Sequence, residues 1–287
     1  MGRRTAAAVL AAIALVGLAS AGCSSSGPAS GSASGQATPS ATTVASYWTE
    51  QHLHDAHAWF SGRVRLGPPA AGLRGLAAIR VGALFVHESS GDHYCTASVV
   101  SSPGRDLLVT AAHCINGGNG GGYRSDIVFI PGYRDGKTPF GVWTPSKLLV
   151  APGWVTSSDP DLDVGFVVLE PQDGREIEDV LGANTLTFNP GYKNLVRVTG
   201  YPQTAAEPVT CKNWTSEQSA TQLRFDCDGF TGGTSGSPFV TDFDATTGTG
   251  RIVGVLGGYQ QGGDSPDISY SSYLGDAIHQ LYDQAIS

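Results

Sequence analysis

Charge is scarce in this chain of 287 residues. Only 15% of positions are Asp, Glu, Lys or Arg, against roughly 25% in ordinary globular domains. Basic residues number 17 against 25 acidic ones, a formal net charge of −8. Without a basic surplus to neutralise phosphates, nucleic acid is excluded as a partner. No two cysteines stand in C-x-x-C spacing, which excludes the usual zinc clusters, so neither a metal nor any other cofactor is expected. Met occurs once, and no fixed-period repeat is present. Turn formers are abundant instead, with 39 glycines and 16 prolines, and apolar residues reach 40%. A chain poor in helix formers, broken by turns and apolar enough for a core reads as all-β.

The first segment is set apart. Arg3 and Arg4 precede an apolar run over 6–19, and small residues lead to Cys23. Residues 1–22 form a secretory signal pattern, too short and alanine-rich for a spanning helix. Leu18-Ala19-Ser20-Ala21-Gly22-Cys23 resembles a bacterial lipoprotein box, with Ser20 where that box prefers Leu. The resemblance implies that Cys23 is a lipid anchor on the outer face of the cell membrane. Setting Cys23 aside leaves Cys95, Cys114, Cys211 and Cys227. Four thiols in an exported chain predict two disulfides, with three connectivities open. Residues 23–45, rich in Ser, Gly and Ala, read as a tether, and 46–75 as an N-terminal extension or propeptide with a short helix over 46–60. His52, His54 and His57 in that helix are not spaced i, i+4 and read as a solvated polar face.

From residue 76 the texture changes to short apolar runs between Gly, Pro, Asn and Asp. Strands are expected at 81–86, 97–100, 107–110, 127–130, 164–169, 195–199, 239–241 and 252–256, with one helix over 276–286. This pattern favours a barrel or sandwich over alternating β/α units.

Two segments carry chemistry. Leu108-Val109-Thr110-Ala111-Ala112-His113-Cys114 is an apolar strand ending in a His. Gly232-Gly233-Thr234-Ser235-Gly236-Ser237-Pro238 sets a Ser in a small-residue turn. Serine is a weak nucleophile at neutral pH and needs a base, which in turn needs a carboxylate to fix its tautomer. Asp163, in Asp161-Leu162-Asp163-Val164, puts a carboxylate at the mouth of an apolar strand between the two. A G-x-S-x-G elbow is excluded because Ser237 occupies its last position and the acid precedes the nucleophile. Asp159, Asp161, Asp163 and Glu170 imitate a calcium loop, but Val164 stands where the loop needs Gly.

These segments resemble the trypsin/chymotrypsin-like serine peptidases. Thr110–Cys114 matches the Thr/Ser-Ala-Ala-His-Cys signature, and Tyr94-Cys95-Thr96-Ala97-Ser98 the strand before it. Asp163-Val164-Gly165 is similar to the Asp-Ile-Ala segment. Gly233-Thr234-Ser235-Gly236-Ser237-Pro238 is similar to the Ser turn of bacterial glutamyl-endopeptidase-like members. Tyr47-Trp48-Thr49 resembles a stretch before the domain in actinobacterial secreted members. The resemblance covers 76–287 and implies two antiparallel β-barrels flanking a cleft. It implies a secreted serine endopeptidase acting on polypeptides as a monomer, through an acyl-enzyme. His113, Asp163 and Ser235 would be its catalytic residues, and the N–H groups of Gly233 and Ser235 its oxyanion hole. Cys95 would pair with Cys114, and Cys211 with Cys227. Gly229, Leu256, Gly257 and Gly258 fall at substrate-binding positions.

Departures are informative. Thr234 replaces the Asp that pairs with a new N-terminus in trypsin-like zymogens, and no Ile-Val-Gly-Gly segment exists. Gly229 stands where Lys/Arg preference needs Asp, with Asp228 beside it. Leu256 stands where glutamyl endopeptidases carry His. An apolar pocket is expected. Near Gly257 the family's Ser that supports the catalytic Asp is missing, so Asp163 needs another partner. Asn213-Trp214-Thr215, formally a glycosylation sequon, reads as a turn. The rival functions are a non-catalytic peptide-binding module on the same fold and a serine esterase.

Overall fold

Alternating apolar positions dictate strands here, and the strands close into two seven-stranded sheets. The computed structural model describes residues 41–58, 79–88, 91–202, 205 and 207–287. The leader, Cys23, the tether up to residue 40 and the extension over 59–75 lie outside these residues.

Described elements begin with helices α1 (Ala41–Tyr47) and α2 (Glu50–Asp55) and the two-residue strand β1 (His57–Ala58). The first sheet continues with β2 (Val81–Glu88), β3 (Gly91–Val100), β4 (Leu107–Thr110), the short helix α3 (Ala112–Ile115) and β5 (Ile127–Pro131). Next come β6 (Pro145–Val150), α4 (Pro152–Ser157), a 3-10 turn (Pro160–Leu162), β7 (Gly165–Leu169) and α5 (Ile177–Leu181). The second sheet comprises β8 (Thr185–Leu186), β9 (Leu195–Gly200), β10 (Val209–Ser219), β11 (Gln222–Asp226), β12 (Pro238–Asp244), β13 (Thr249–Val255) and β14 (Ile268–Ser272). A 3-10 turn (Tyr259–Gly262) precedes β14, and helix α6 (Asp276–Ala285) ends the chain.

The first sheet runs β5-β2-β3-β4-β7-β6, and a bridge between Phe129 and Trp143 brings its ends together. The second runs β14-β11-β10-β9-β12-β13, and a bridge between Leu256 and Ser271 does the same. The chain thus forms two antiparallel barrels with a C-terminal helix, as the sequence predicts. Two short strands depart from that pattern: β1 joins β3, and β8 joins β13, in parallel. Leu107, Val109 and Phe166 of the first barrel pack with Val240, Ile252 and Val255 of the second, under Ile278 and Leu281 of α6. The i, i+3 spacing of those two helix residues places both on the buried stripe.

All eight expected strands form. The runs over β6, β10, β11 and β14 were not foreseen, nor were the short β1 and β8. Asn213-Trp214-Thr215 lies within β10, not in a turn. Residues 41–45, read as tether, belong to α1, and the helix expected over 46–60 is broken between α1 and α2. This segment is part of the first barrel's packing. Trp48, Leu53 and Ala56 are buried against Phe85, Tyr94 and Tyr133. Trp48 Nε1 donates to the Asp126 carbonyl at 3.2 Å, and Tyr133 Oη to the Leu53 carbonyl at 3.1 Å.

Candidate active site

Register explains how a His and an Asp far apart in sequence meet. β4 and β7 pair antiparallel with Thr110 opposite Gly165. Residues just after β4 therefore lie beside residues just before β7. His113 follows on α3, and Asp163 sits at the end of the 3-10 turn. Its carboxylate is fully buried and accepts three hydrogen bonds: from the His113 N–H at 2.9 Å, from His113 Nδ1 at 2.8 Å and from the Gly258 N–H at 2.9 Å. A buried carboxylate without donors would cost several kcal/mol, so these bonds are what permit its burial. The one from Nδ1 also fixes the ring so that Nδ1 carries its proton toward the acid. Nε2, the other ring nitrogen, is buried and has no partner among the described residues.

Disulfide bonds join Cys95 to Cys114 and Cys211 to Cys227, with Cα–Cα distances of 6.1 and 6.4 Å. The first ties α3 to β3 at the residue next to His113. Donor atoms of Cys95, Cys114 and His113 lie within 4.8 Å of one another, but both sulfurs are consumed by the bond and offer no thiolate to a metal.

The Ser235 turn is held against the first barrel by backbone. The Thr96 N–H donates to the Ser235 carbonyl at 2.7 Å, and Thr96 Oγ1 to the Gly233 carbonyl at 3.0 Å. Thr96 Oγ1 also accepts from the Tyr201 N–H at 3.0 Å. Gly236, at φ +87°, is obligatory: a Cβ there would lie 1.9 Å from the Thr96 carbonyl oxygen and 2.4 Å from Thr110 Oγ1. The same contact places this turn at the end of β4 that leads to His113. Within the turn the N–H groups of Thr234, Gly236 and Ser237 are all bonded. Those of Gly233 and Ser235 have no partner among the described residues, and neither has Ser235 Oγ.

Beside Ser235 lies a cavity of about 80 Å³, lined by Phe230, Gly232, Leu256 and Pro266, with Gln261 and Asp264 nearer solvent. Of the four positions expected to bind substrate, Leu256 lines it and Gly229, Gly257 and Gly258 do not. Gly257 and Gly258 adjoin the acid. Gly258 donates to it, and a Cβ on Gly257 would stand 3.0 Å from Asp163 Oδ2. They take the place of the missing Ser support. Asp228 is exposed and outside the cavity.

The structure also adds supports that no motif marked. Gln222 Nε2 donates to the Pro160 carbonyl at 2.9 Å and to Asp161 Oδ1 at 2.8 Å, so the second barrel grips the turn carrying Asp163. Arg124 donates from Nε and Nη2 to the His113 carbonyl at 3.3 and 3.1 Å. A polar Gln on a barrel strand carries no signal until its neighbour across the cleft is known.

Residues 95–255 match the trypsin-like peptidase domain, more than half of the chain. The chain belongs to the trypsin-like peptidase family. By that membership it is a serine endopeptidase, a hydrolase whose substrates are polypeptides. A search of curated proteins finds no match. Among solved structures, this peptidase resembles the thermostable serine protease AL20 from an extremophilic microorganism: 26% identity, 74% of this chain and 98% of that one covered, TM-score 0.65. It also resembles the protease Anisep from Arthrobacter nicotinovorans, at 24% identity over 73% of this chain and 96% of that one, TM-score 0.65. A Glu endopeptidase shares the fold at 15% identity, over 76% and 95% of the two chains, TM-score 0.60.

Proposed function

We propose that the chain is an exported peptidase that cleaves peptide bonds through an acyl-enzyme on Ser235. Ser235 Oγ attacks the substrate carbonyl while His113 Nε2 takes its proton. His113 then delivers that proton to the leaving amine, and water repeats the cycle on the acyl-enzyme. Asp163 holds the imidazole and stabilises its charged form. The unbonded N–H groups of Gly233 and Ser235 receive the developing oxyanion; one such donor is typically worth about 10²–10³ in turnover. The observation that carries this reading is the buried Asp163–His113 pair, whose outer nitrogen has no partner among the described residues.

Specificity follows from the cavity. Phe230, Leu256 and Pro266 make its apolar wall, and its small volume suits an uncharged side chain of modest size at the residue before the cut. The loop needs no new N-terminus to take shape, since Thr234 is buried and its Oγ1 donates to the Thr231 carbonyl at 2.7 Å. Two disulfides support an exported location. Residues 1–22 are then the leader, Cys23 the lipidated anchor, 23–40 its tether and 76–287 the catalytic body of a monomer. The burial of Trp48 and Leu53 argues that 41–58 stay with that body.

The test is to treat the purified protein and its Ser235→Ala variant with a fluorophosphonate, then profile cuts in a mixed peptide library. Labelling and cleavage confined to the wild type are expected, with small apolar residues before the cut. Absence of labelling would favour a peptide-binding module, and ester turnover without peptide cuts an esterase. Cuts after Lys or Arg would overturn the apolar pocket.

A further inference from the structure

The outer face of the second barrel carries cations that the cleft does not use. β9 and β10 pair with Leu195 opposite Trp214, Arg197 opposite Lys212 and Thr199 opposite Thr210. Directly opposed residues share a face of an antiparallel ladder, as do residues two apart on one strand. The intervening Val196 and Val198 fill the barrel interior, so these pairs face outward. Arg197 and Lys212 are therefore like charges set side by side, an unfavourable arrangement that an anion between them would relieve. Lys193 adds a third cation, 5.6 Å from the centroid of the Trp214 ring, which is 51% exposed. In a chain with more acids than bases, this grouping runs against the overall balance.

A cavity of about 240 Å³ opens at the same rung, lined by Leu195, Arg197, Lys212, Val240 and Phe243, with Asp242 at its side. Asp242 pairs with Arg251, whose Nε donates to Oδ2 at 2.9 Å and whose Nη2 reaches the same oxygen; no ion pair joins it to Arg197 or Lys212 among the described residues. Arg197 lies with its guanidinium carbon 4.4 Å from the Phe243 ring centroid. Its Nε is buried without a hydrogen-bond partner among the described residues. A guanidinium held by an aromatic ring offers a planar fork suited to a carboxylate, and Lys212 supplies a point charge beside it.

We propose that this recess is an exosite for an acidic segment of a polypeptide. One carboxylate sits between Arg197 and Lys212, and apolar parts of the segment lie on Leu195, Phe243 and Trp214. The recessed position of Arg197, half-buried with its Nε inside, suits a side chain that enters the cavity better than a flat sheet of headgroups. In taking the polypeptide to be a substrate, the proposal rests on the peptidase reading; the binding does not.

The experiment uses the full chain with Ser235→Ala, so that peptides survive. A Trp-free, Glu-rich peptide is titrated by calorimetry and by tryptophan fluorescence, beside a Gln-rich peptide of equal length, inorganic phosphate, and vesicles of anionic phosphatidylglycerol. The Glu-rich peptide is expected to bind in a salt-sensitive manner and the Gln-rich one not. Lys212→Gln should weaken binding about tenfold, and Arg197→Gln more. Lys212 is exposed, so its variant reports binding without a folding defect. In the active enzyme, Lys212→Gln should lower the ratio of kcat/KM for an acid-flanked substrate over a neutral one. Equal binding of the Gln-rich peptide, or no effect of Lys212→Gln, would overturn the proposal. So would phosphate binding as tightly as the peptide, or vesicle binding lost in Lys212→Gln without peptide binding. Failure of the wild type to cut any peptide would count against the peptidase reading alone and leave the binding result readable.

Discussion

The two walls of the cleft handle their polar atoms differently. On the first-barrel side, Asp163 accepts three hydrogen bonds and the His113 carbonyl is held by Arg124. On the second-barrel side, Ser235 Oγ and the N–H groups of Gly233 and Ser235 have no partner among the described residues. A base must be oriented before substrate arrives, because a wrong tautomer wastes every encounter. In the proposed mechanism, oxyanion donors and the nucleophile act only on a group the substrate brings, which accounts for their open valences. Supports for the first wall come from both barrels, Arg124 from the first and Gly258 and Gln222 from the second. Loop supports for the second wall come from Thr96 of the first barrel.

Breaking the open wall should cost the most activity and the least stability. Ser235→Ala is expected to lower kcat by roughly 10⁴–10⁶ while leaving the melting temperature within a degree or two, since the hydroxyl makes no bond to lose. Calorimetry beside a peptide assay checks both halves; a large loss of stability would contradict the open-valence description. Breaking the satisfied wall should do both kinds of damage. Asp163→Asn is expected to lower kcat by about 10⁴ and also to lower the melting temperature, because an amide turns one accepting oxygen into an NH₂ facing an N–H donor. Unchanged stability in that variant would mean that the three bonds are not what keeps the acid buried.

The contrast also explains what could be read in advance. His113 and Ser235 stood out because each lies at the edge of an apolar strand in a run of small residues, and Asp163 because it stands at the mouth of an apolar strand between them. β10 and β14 were missed because buried positions in both are polar, Thr215 in β10 and Ser269, Ser271 and Ser272 in β14, so no apolar alternation marks them. That Gly257 and Gly258 adjoin the acid was not legible, because sequence gives position along a strand but not which neighbour its backbone faces. Trp48 and Leu53 were set outside the domain because the strand-like texture starts only at residue 76, and nothing local shows that their segment packs on the first barrel. Parallel pairing of β1 with β3 is a long-range event with no local signature.

Smaller changes sharpen the comparison. Gly257→Ala puts a methyl group 3.0 Å from Asp163 Oδ2 and 3.2 Å from the Ala111 Cβ. A shift of the acid by a fraction of an ångström should cost up to about 10² in kcat, with little change in KM. A rise in KM alone would instead return Gly257 to the pocket. Trp48→Ala opens a cavity beneath the first barrel and should destabilise the protein by about 3–5 kcal/mol, with kcat preserved at low temperature. Loss of activity in parallel would show that the N-terminal segment shapes the cleft as well as the core.

The smallest effect concerns the clasp that holds this segment. Tyr47 Oη donates to both Asp92 oxygens, at 2.8 and 3.0 Å, and His87 Nδ1 meets Asp92 Oδ1 at 2.5 Å. Burial first, and then the hydrogen bond to the Asp92 carboxylate, pushes the Tyr47 phenol up from 10.0 to about 12. A raised pKa means that the folded state favours the neutral phenol. Its contribution is whole below pH 10, the unfolded value, and disappears as pH rises through about 12. Tyr47→Phe should cost about 0.5–1 kcal/mol at neutral pH, as expected for one partly exposed hydrogen bond. Urea melts at pH 7, 9 and 11 should show the gap between wild type and variant constant up to pH 9 and narrowed at pH 11. A gap that stayed the same throughout would assign the loss to packing of the ring against His52 and His87, which stack on it at 4.3 and 4.0 Å, and not to the phenol.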